Sequence, residues 1–194
     1  MNPLNSVNGT IIAGIVLAVL LGLATMGIRV NEATLMLWIH VLAGITWIGL
    51  LYYFNFVQVP ALAEAASDDG GPGGAGITKY VAPRALLWFR WSALVTWLSG
   101  AAYLARFGLL DDAFMLTDAG FVIGIGAWLG TIMLFNVWVL IWPNQKKILG
   151  IVEATAEEIG KAKRVALLAS RTNTLLSIPM IMSMVGYGHG GFIV

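Results

Sequence analysis

Between residues 33 and 60 the chain carries no Asp, Glu, Lys or Arg, a run long enough to cross a bilayer as a helix. Four further apolar stretches, at about 10–28, 85–107, 119–142 and 172–192, come close to or exceed the ~20 residues that such a crossing needs. Composition agrees: 59% of the 194 residues are hydrophobic and 11% are charged, whereas soluble domains carry about 25% charged residues. Mean hydropathy is +0.84. The sequence therefore predicts an all-α integral membrane protein, a single transmembrane helical domain over 1–194 with five transmembrane helices. The formal net charge of +1 leaves no basic face for a nucleic-acid partner. With no cysteine there is no disulfide, thiolate zinc site, iron–sulfur cluster or C-x-x-C-H attachment, so any haem would be held non-covalently.

The segments between the spans have their own signals. No Lys or Arg precedes the first span, which argues for a retained helix rather than a signal peptide. Residues 60–84 read as a solvent loop, closed off from the second span by Pro60 and containing Asp68-Asp-Gly-Gly-Pro-Gly-Gly-Ala-Gly76. That loop has no G-x-x-x-x-G-K-[ST] and so no phosphate cradle. Gly120, Gly124, Gly126 and Gly130 give the fourth span two small-x-x-x-small pairs for tight helix contact, and Pro143 marks its kink or boundary. Thr155 to Glu158 has the form of a capping box. It predicts an amphipathic cytoplasmic helix at about 156–170, with its lysines towards water or lipid headgroups. Segments 60–84 and 143–171 fall on one side of the five-span arrangement and hold eight of the eleven basic residues. Because cytoplasmic loops are enriched in Lys and Arg, the N-terminus is expected inside and the C-terminus outside.

Only two histidines occur, and His40 lies seven residues into the second span, ~10 Å from its outer boundary at 1.5 Å per residue. An ionisable group at membrane depth is a functional-site candidate by default. On a helix, His40, Gly44 and Trp47 share one face, with the glycine leaving room beside the imidazole. His189, near the end of the fifth span, falls in the same outer half. Two imidazoles at similar depth suit a haem b with His40 and His189 as its iron ligands. In that scheme Gly44, Trp47, Thr46 and Tyr187 form the surrounding shell, and Arg29 or Arg106 meets the propionates. One of Met180, Met182 and Met184 is an alternative ligand. The competing reading is a histidine hydrogen-bonded to a neighbouring helix, with Gly44 allowing close packing. Two histidines without an intramembrane carboxylate supply too few ligands for a dinuclear metal centre.

The inner half carries Asn55, Arg90, Asn136 and Asn173, and no carboxylate lies at the depth of Arg90. Its guanidinium either snorkels to the interface or joins the amides in binding an anionic, planar ligand through paired hydrogen bonds.

Four ordered motifs then point to a family. Trp38-Ile-His-Val-Leu-Ala-Gly-Ile-Thr-Trp-Ile-Gly49 is followed by Tyr80-Val-Ala-Pro-Arg-Ala-Leu-Leu-Trp-Phe-Arg-Trp91. Next come Asn136-Val-Trp-Val-Leu-Ile-Trp-Pro-Asn-Gln-Lys-Lys147 and Ser170-Arg-Thr-Asn-Thr-Leu-Leu-Ser-Ile-Pro179. Together they resemble the urate oxidase N-terminal family, the membrane domain of bacterial urate hydroxylases, from Leu35 onwards. Long members join this domain to a C-terminal cytochrome c domain that takes electrons from urate. The present chain resembles a short form without that domain, and its loop before Lys79 lacks the histidines of the long members. The second span also resembles, more weakly, bacterial membrane protoporphyrinogen oxidases, which share a His followed by Trp-x-Gly and bind haem b. The resemblance implies a membrane redox protein of the bacterial inner membrane, with a periplasmic C-terminus. Its implied partners are the lipid bilayer, a cytochrome c or other membrane redox subunits, and further copies of itself. The alternatives are a cofactor-free accessory subunit of a larger membrane complex, or a urate-oxidising enzyme in its own right.

Overall fold

The structure is a computed structural model that describes residues 2–26, 31–117 and 119–190. Among the described residues the regular structure is entirely helical. The chain divides into two compact units, Met1–Leu35 and Met36–Val194.

In the first unit a short turn of 3₁₀-helix, Pro3–Asn5, is capped by the Asn2 side chain, which accepts from the Leu4 N–H at 2.9 Å. Helix α1, Val7–Met26, follows. It buries no residue within the protein and is apolar on every side. Such a helix is stable in hydrocarbon, where its own hydrogen bonds satisfy the backbone.

The second unit takes in the body of α2, Glu32–Tyr53, together with α4, Ala82–Arg106, α6, Phe121–Phe135, and α8, Ala156–Gly188. Shorter helices connect these: α3, Val59–Ser67, α5, Leu110–Met115, and α7, Trp142–Ile148. Side-chain pairings fix neighbouring long helices as antiparallel. Phe54 beyond the end of α2 meets Phe89 of α4, and His40 meets Thr96 further along α4. Trp97 of α4 bonds Thr131 of α6, while Leu104 packs on Ile123. Gly126 of α6 bonds Ser183 of α8, and Asn136 bonds Asn173. Tyr52 and Asn55 reach Ser177 and Ser170, returning from α8 to the α2 segment. The core between them contains Trp47, Leu51, Phe89, Met133, Val137 and Met180.

Among the described residues four helical segments are long and apolar enough to cross a membrane: Val7–Thr25, Glu32–Ser67, Phe121–Ile148 and Ala156–Gly188. Several expected boundaries are corrected. The second span does not stop at Pro60, nor the fourth at Pro143, because each proline is preceded by a π-helical turn, Phe54–Gln58 and Asn136–Ile141. A third such turn, Ile77–Val81, precedes Pro83. A proline clashes with the carbonyl four residues back. Here that carbonyl belongs to Phe56, Lys79 or Val139, each inside the widened turn. The helix therefore absorbs the ring instead of ending. The expected loop 60–84 is accordingly helical for most of its length, leaving only the glycine-rich centre irregular.

The amphipathic helix at 156–170 and the span from 172 are not separate elements either. Both belong to the single 33-residue α8, since no proline lies between the cap and residue 178 and the lone Gly160 does not end the helix. The expected capping box is present: Thr155 accepts from the Glu158 N–H, and the Glu158 carboxylate accepts from the Thr155 N–H at 2.8 Å. The expected glycine contacts of α6 have two different partners. Gly120 and Gly124 lie under the backbone of α5, and Gly126 and Gly130 face Ser183, Met184 and Met180 of α8.

Candidate functional site

His40 is half-buried on α2 and turned towards α4, where its Nδ1–H donates to the Thr96 carbonyl at 2.8 Å. That bond fixes the tautomer and leaves Nε2 with its lone pair. The backbone of α4 comes this close because residue 100 is glycine. A Cβ there would stand 2.8 Å from both Nδ1 and Cε1 of the imidazole. Gly44, expected to open space beside the ring, instead faces the Thr96 methyl, which a Cβ would meet at an ordinary 3.7 Å. Gly100 is thus the residue that admits the imidazole, and the small run Ser99-Gly-Ala-Ala102 was its only trace in the sequence. Trp47 is 1% exposed in the core, and its Nε1 is one of the buried polar atoms without a partner among the described residues. Thr46 returns its hydroxyl to Leu42 of its own helix.

His189 follows the last residue of α8 and is exposed, with Nδ1–H donating to the Val185 carbonyl at 2.9 Å. Tyr187, two residues back, is 38% exposed. Since α2 and α8 run antiparallel, His40 and His189 lie towards the same end of the second unit, each anchored by a different carbonyl. Arg106 ends α4 at that end, and Arg29 lies outside the described residues. Of the methionines, Met180 and Met184 are packed against α6 and Met182 is exposed. Among the described residues no group of three or more His, Asp or Glu side chains is assembled that could hold a metal ion.

The inner polar residues come together only in part. Asn136 Nδ2 donates to Asn173 Oδ1 at 2.8 Å, and Asn173 Nδ2 donates to the Met133 carbonyl at 3.0 Å. Asn173 is fully buried. Asn55 Nδ2 donates to the Leu51 carbonyl and to Ser170 Oγ, on the same side of α8. Ser177 gives its hydrogen to the Thr174 carbonyl, so Tyr52 donates to Ser177 at 2.9 Å. The oxygens Asn55 Oδ1 and Gln58 Oε1 are buried without partners among the described residues. Arg90 stands apart from this network, its guanidinium carbon 3.9 Å from the centre of the Trp142 ring. Ser170 and Ser177 lay within the sequence motifs and Tyr52 and Gln58 outside them, and nothing singled these residues out before the helices were paired.

An open groove of about 430 Å³ lies between α4 and α6, lined by Leu94, Trp97, Leu98, Leu134, Phe135 and Trp138 among others. It reaches neither histidine.

No curated protein and no solved structure matches the chain. The family model described as urate oxidase N-terminal matches residues 29–123 and 113–192, two overlapping segments that together cover most of the sequence. The chain accordingly belongs to the urate oxidase N-terminal family.

Proposed function

We propose that this protein is a membrane-embedded redox member of its family, binding haem b non-covalently through His40 and relaying electrons between a donor and a partner redox protein. The observation that carries this reading is the His40 anchor. A metal-bound histidine characteristically donates its other ring N–H to a carbonyl or carboxylate, which fixes the ring and frees the ligating nitrogen. Nδ1–H on the Thr96 carbonyl, with Gly100 admitting the ring, meets that requirement. His189, at the same end, is the candidate second ligand, and Arg106 the candidate partner of the propionates. The donor set fits the group; the groove between α4 and α6 touches neither ligand, so no slot for the macrocycle is preformed there. When bound, haem supplies one-electron transfer at a potential tuned by its axial ligands and burial.

In this reading α4 is a fifth span. Its 25 residues cover ~37 Å at 1.5 Å per residue, and its charges are Arg84, Arg90 and Arg106, two of them at its ends. Ser92 and Thr96 return their hydroxyls to carbonyls of the same helix, as helices in hydrocarbon require. The clustering of basic residues favours a cytoplasmic N-terminus in the bacterial inner membrane, with the C-terminus on the periplasmic side.

A second reading starts from the same contacts. The same hydrogen bond and glycine contact would serve a histidine that only ties α2 to α4, in a cofactor-free accessory subunit of a larger membrane complex. A reduced-minus-oxidised spectrum of the purified wild type and of His40→Ala separates the two. The proposal requires Soret and alpha bands in the wild type and their loss in the variant. A wild type without bands supports the accessory subunit, and bands unchanged in His40→Ala remove His40 from the site. Reduction of the bands by added urate would extend the proposal to a urate-oxidising enzyme.

A further inference from the structure

We propose that the groove between α4 and α6, together with Arg90 at its inner mouth, is a binding site for an anionic phospholipid of the bilayer. The groove presents carbon almost throughout, since Thr131, its one polar residue, accepts from Trp97 Nε1 at 2.8 Å and donates to the Ala127 carbonyl. One helical turn from Leu94 stands Arg90, and one turn beyond Trp138 stands Trp142, the two stacked at 3.9 Å. A wall of aromatic rings joins groove and mouth, with Trp91 edge-on to Trp138 at 5.4 Å. Lys146 follows Trp142 by a further turn on the same face of α7.

The charges at that mouth have no protein counterpart. Among the described residues the resolved ion pairs are Lys147 with Glu158 and Lys161 with Glu157, and neither Arg90 nor Lys146 takes part. The Arg90 guanidinium lies over the Trp142 ring, and among the described residues no carbonyl or carboxylate is hydrogen-bonded or ion-paired to it. A stacked guanidinium keeps its N–H fork in the plane, where it matches two oxygens of a phosphate. A carbon-lined channel with Arg90 one turn and Lys146 two turns beyond it, neither in an ion pair among the described residues, is complementary to an amphiphile with an anionic head. In a bilayer that is a phospholipid, with an acyl chain along Leu94, Leu98, Leu134 and Phe135 and its phosphate between Arg90 and Lys146.

The test is native mass spectrometry of the protein released from nanodiscs of equal phosphatidylglycerol and phosphatidylcholine. The wild type should retain phosphatidylglycerol in preference to phosphatidylcholine. Arg90→Gln should lower that retention about tenfold, the effect of losing charge-assisted hydrogen bonds. Arg90→Lys, which keeps the charge without the fork, should fall between them and serves if the glutamine variant does not fold. Leu98→Trp, filling the groove, should lower retention of both lipids, while Lys163→Gln on exposed α8 surface should leave it as in the wild type. Added inorganic phosphate should not displace the lipid, because the acyl groove contributes to its binding. Equal retention of the two lipids by the wild type, retention unchanged in the Arg90 variants, or displacement by phosphate alone would each overturn the proposal.

Discussion

Two glycines at the α2–α4 contact should respond to the same substitution with opposite signs. At Gly44 a Cβ meets the Thr96 methyl at 3.7 Å, an ordinary contact, so Gly44→Ala gains helix propensity and loses nothing. The gain is about 1 kcal/mol for a glycine inside a helix. At Gly100 a Cβ would sit 2.8 Å from two atoms of the His40 ring, so the ring has to rotate away from the Thr96 carbonyl. Stranding the imidazole N–H costs about 2 kcal/mol, which exceeds the ~1 kcal/mol gained from the same propensity term. Gly100→Ala should then be about 1 kcal/mol less stable than the wild type, and the two variants about 2 kcal/mol apart. For a chain of this length that separation corresponds to about 4–8 °C in Tm, measurable by intrinsic fluorescence during heating in a mild detergent. If haem is bound, Gly100→Ala should also shift or lose the reduced alpha band, and Gly44→Ala should leave it in place. A protein that tolerates alanine at 100 but is destabilised by alanine at 44 would refute the packing argument and the placement of His40 with it.

Other perturbations follow from the same contacts. His189→Ala removes an exposed group bonded only to its own helix, so thermal stability should hold while the haem spectrum changes if His189 is a ligand. Asn173→Ala strands the Asn136 side-chain amide in the core and removes the side-chain donor to the Met133 carbonyl, and should cost about 1–3 kcal/mol by denaturation in detergent. In Gly126→Ala the new methyl would stand 2.8 Å from Ser183 Oγ, and overpacking between α6 and α8 should cost about 1–3 kcal/mol in the same assay. Thr155→Ala dismantles the capping box and should cost about 1 kcal/mol, seen as faster amide exchange in the first turn of α8.

How far the sequence disclosed this arrangement depended on the range of the interaction concerned. The apolar runs announced the helices because each run reports its own solvent, and the capping box at Thr155 was readable because both partners lie within one turn. Prolines 60 and 143 misled, since in isolation each reads as an end, and only the widened turn before it allows the helix to continue. The join at residue 171 was missed for a related reason: a change from charged to apolar residues marks the depth of a helix in a membrane, not a break in its backbone. His40 and the Asn136–Asn173 pair stood out as polar groups in apolar surroundings. Gly100 and Thr96 did not, because their roles exist only once α4 lies against α2, fifty-six residues from His40 in the case of Thr96.

The inner polar residues also change meaning once their bonds are assigned. In the sequence, a guanidinium near three asparagines suggested an anion site. In the folded chain the amide N–H groups are the occupied half: Asn55 Nδ2 serves Leu51 and Ser170, Asn136 Nδ2 serves Asn173, and Asn173 Nδ2 serves Met133. The unused capacity lies in the oxygens Asn55 Oδ1 and Gln58 Oε1, which repel an anion and attract a donor. Arg90 is paired with Trp142 outside that network, next to the apolar groove. Positive charge and amide groups therefore serve two environments: the cation lies over Trp142 beside the apolar groove, while the asparagines tie the π-helical turns of two helices to α8. An anion bound among the asparagines would have to break those ties, which is why the lipid site, and not the core, is the place to look for one.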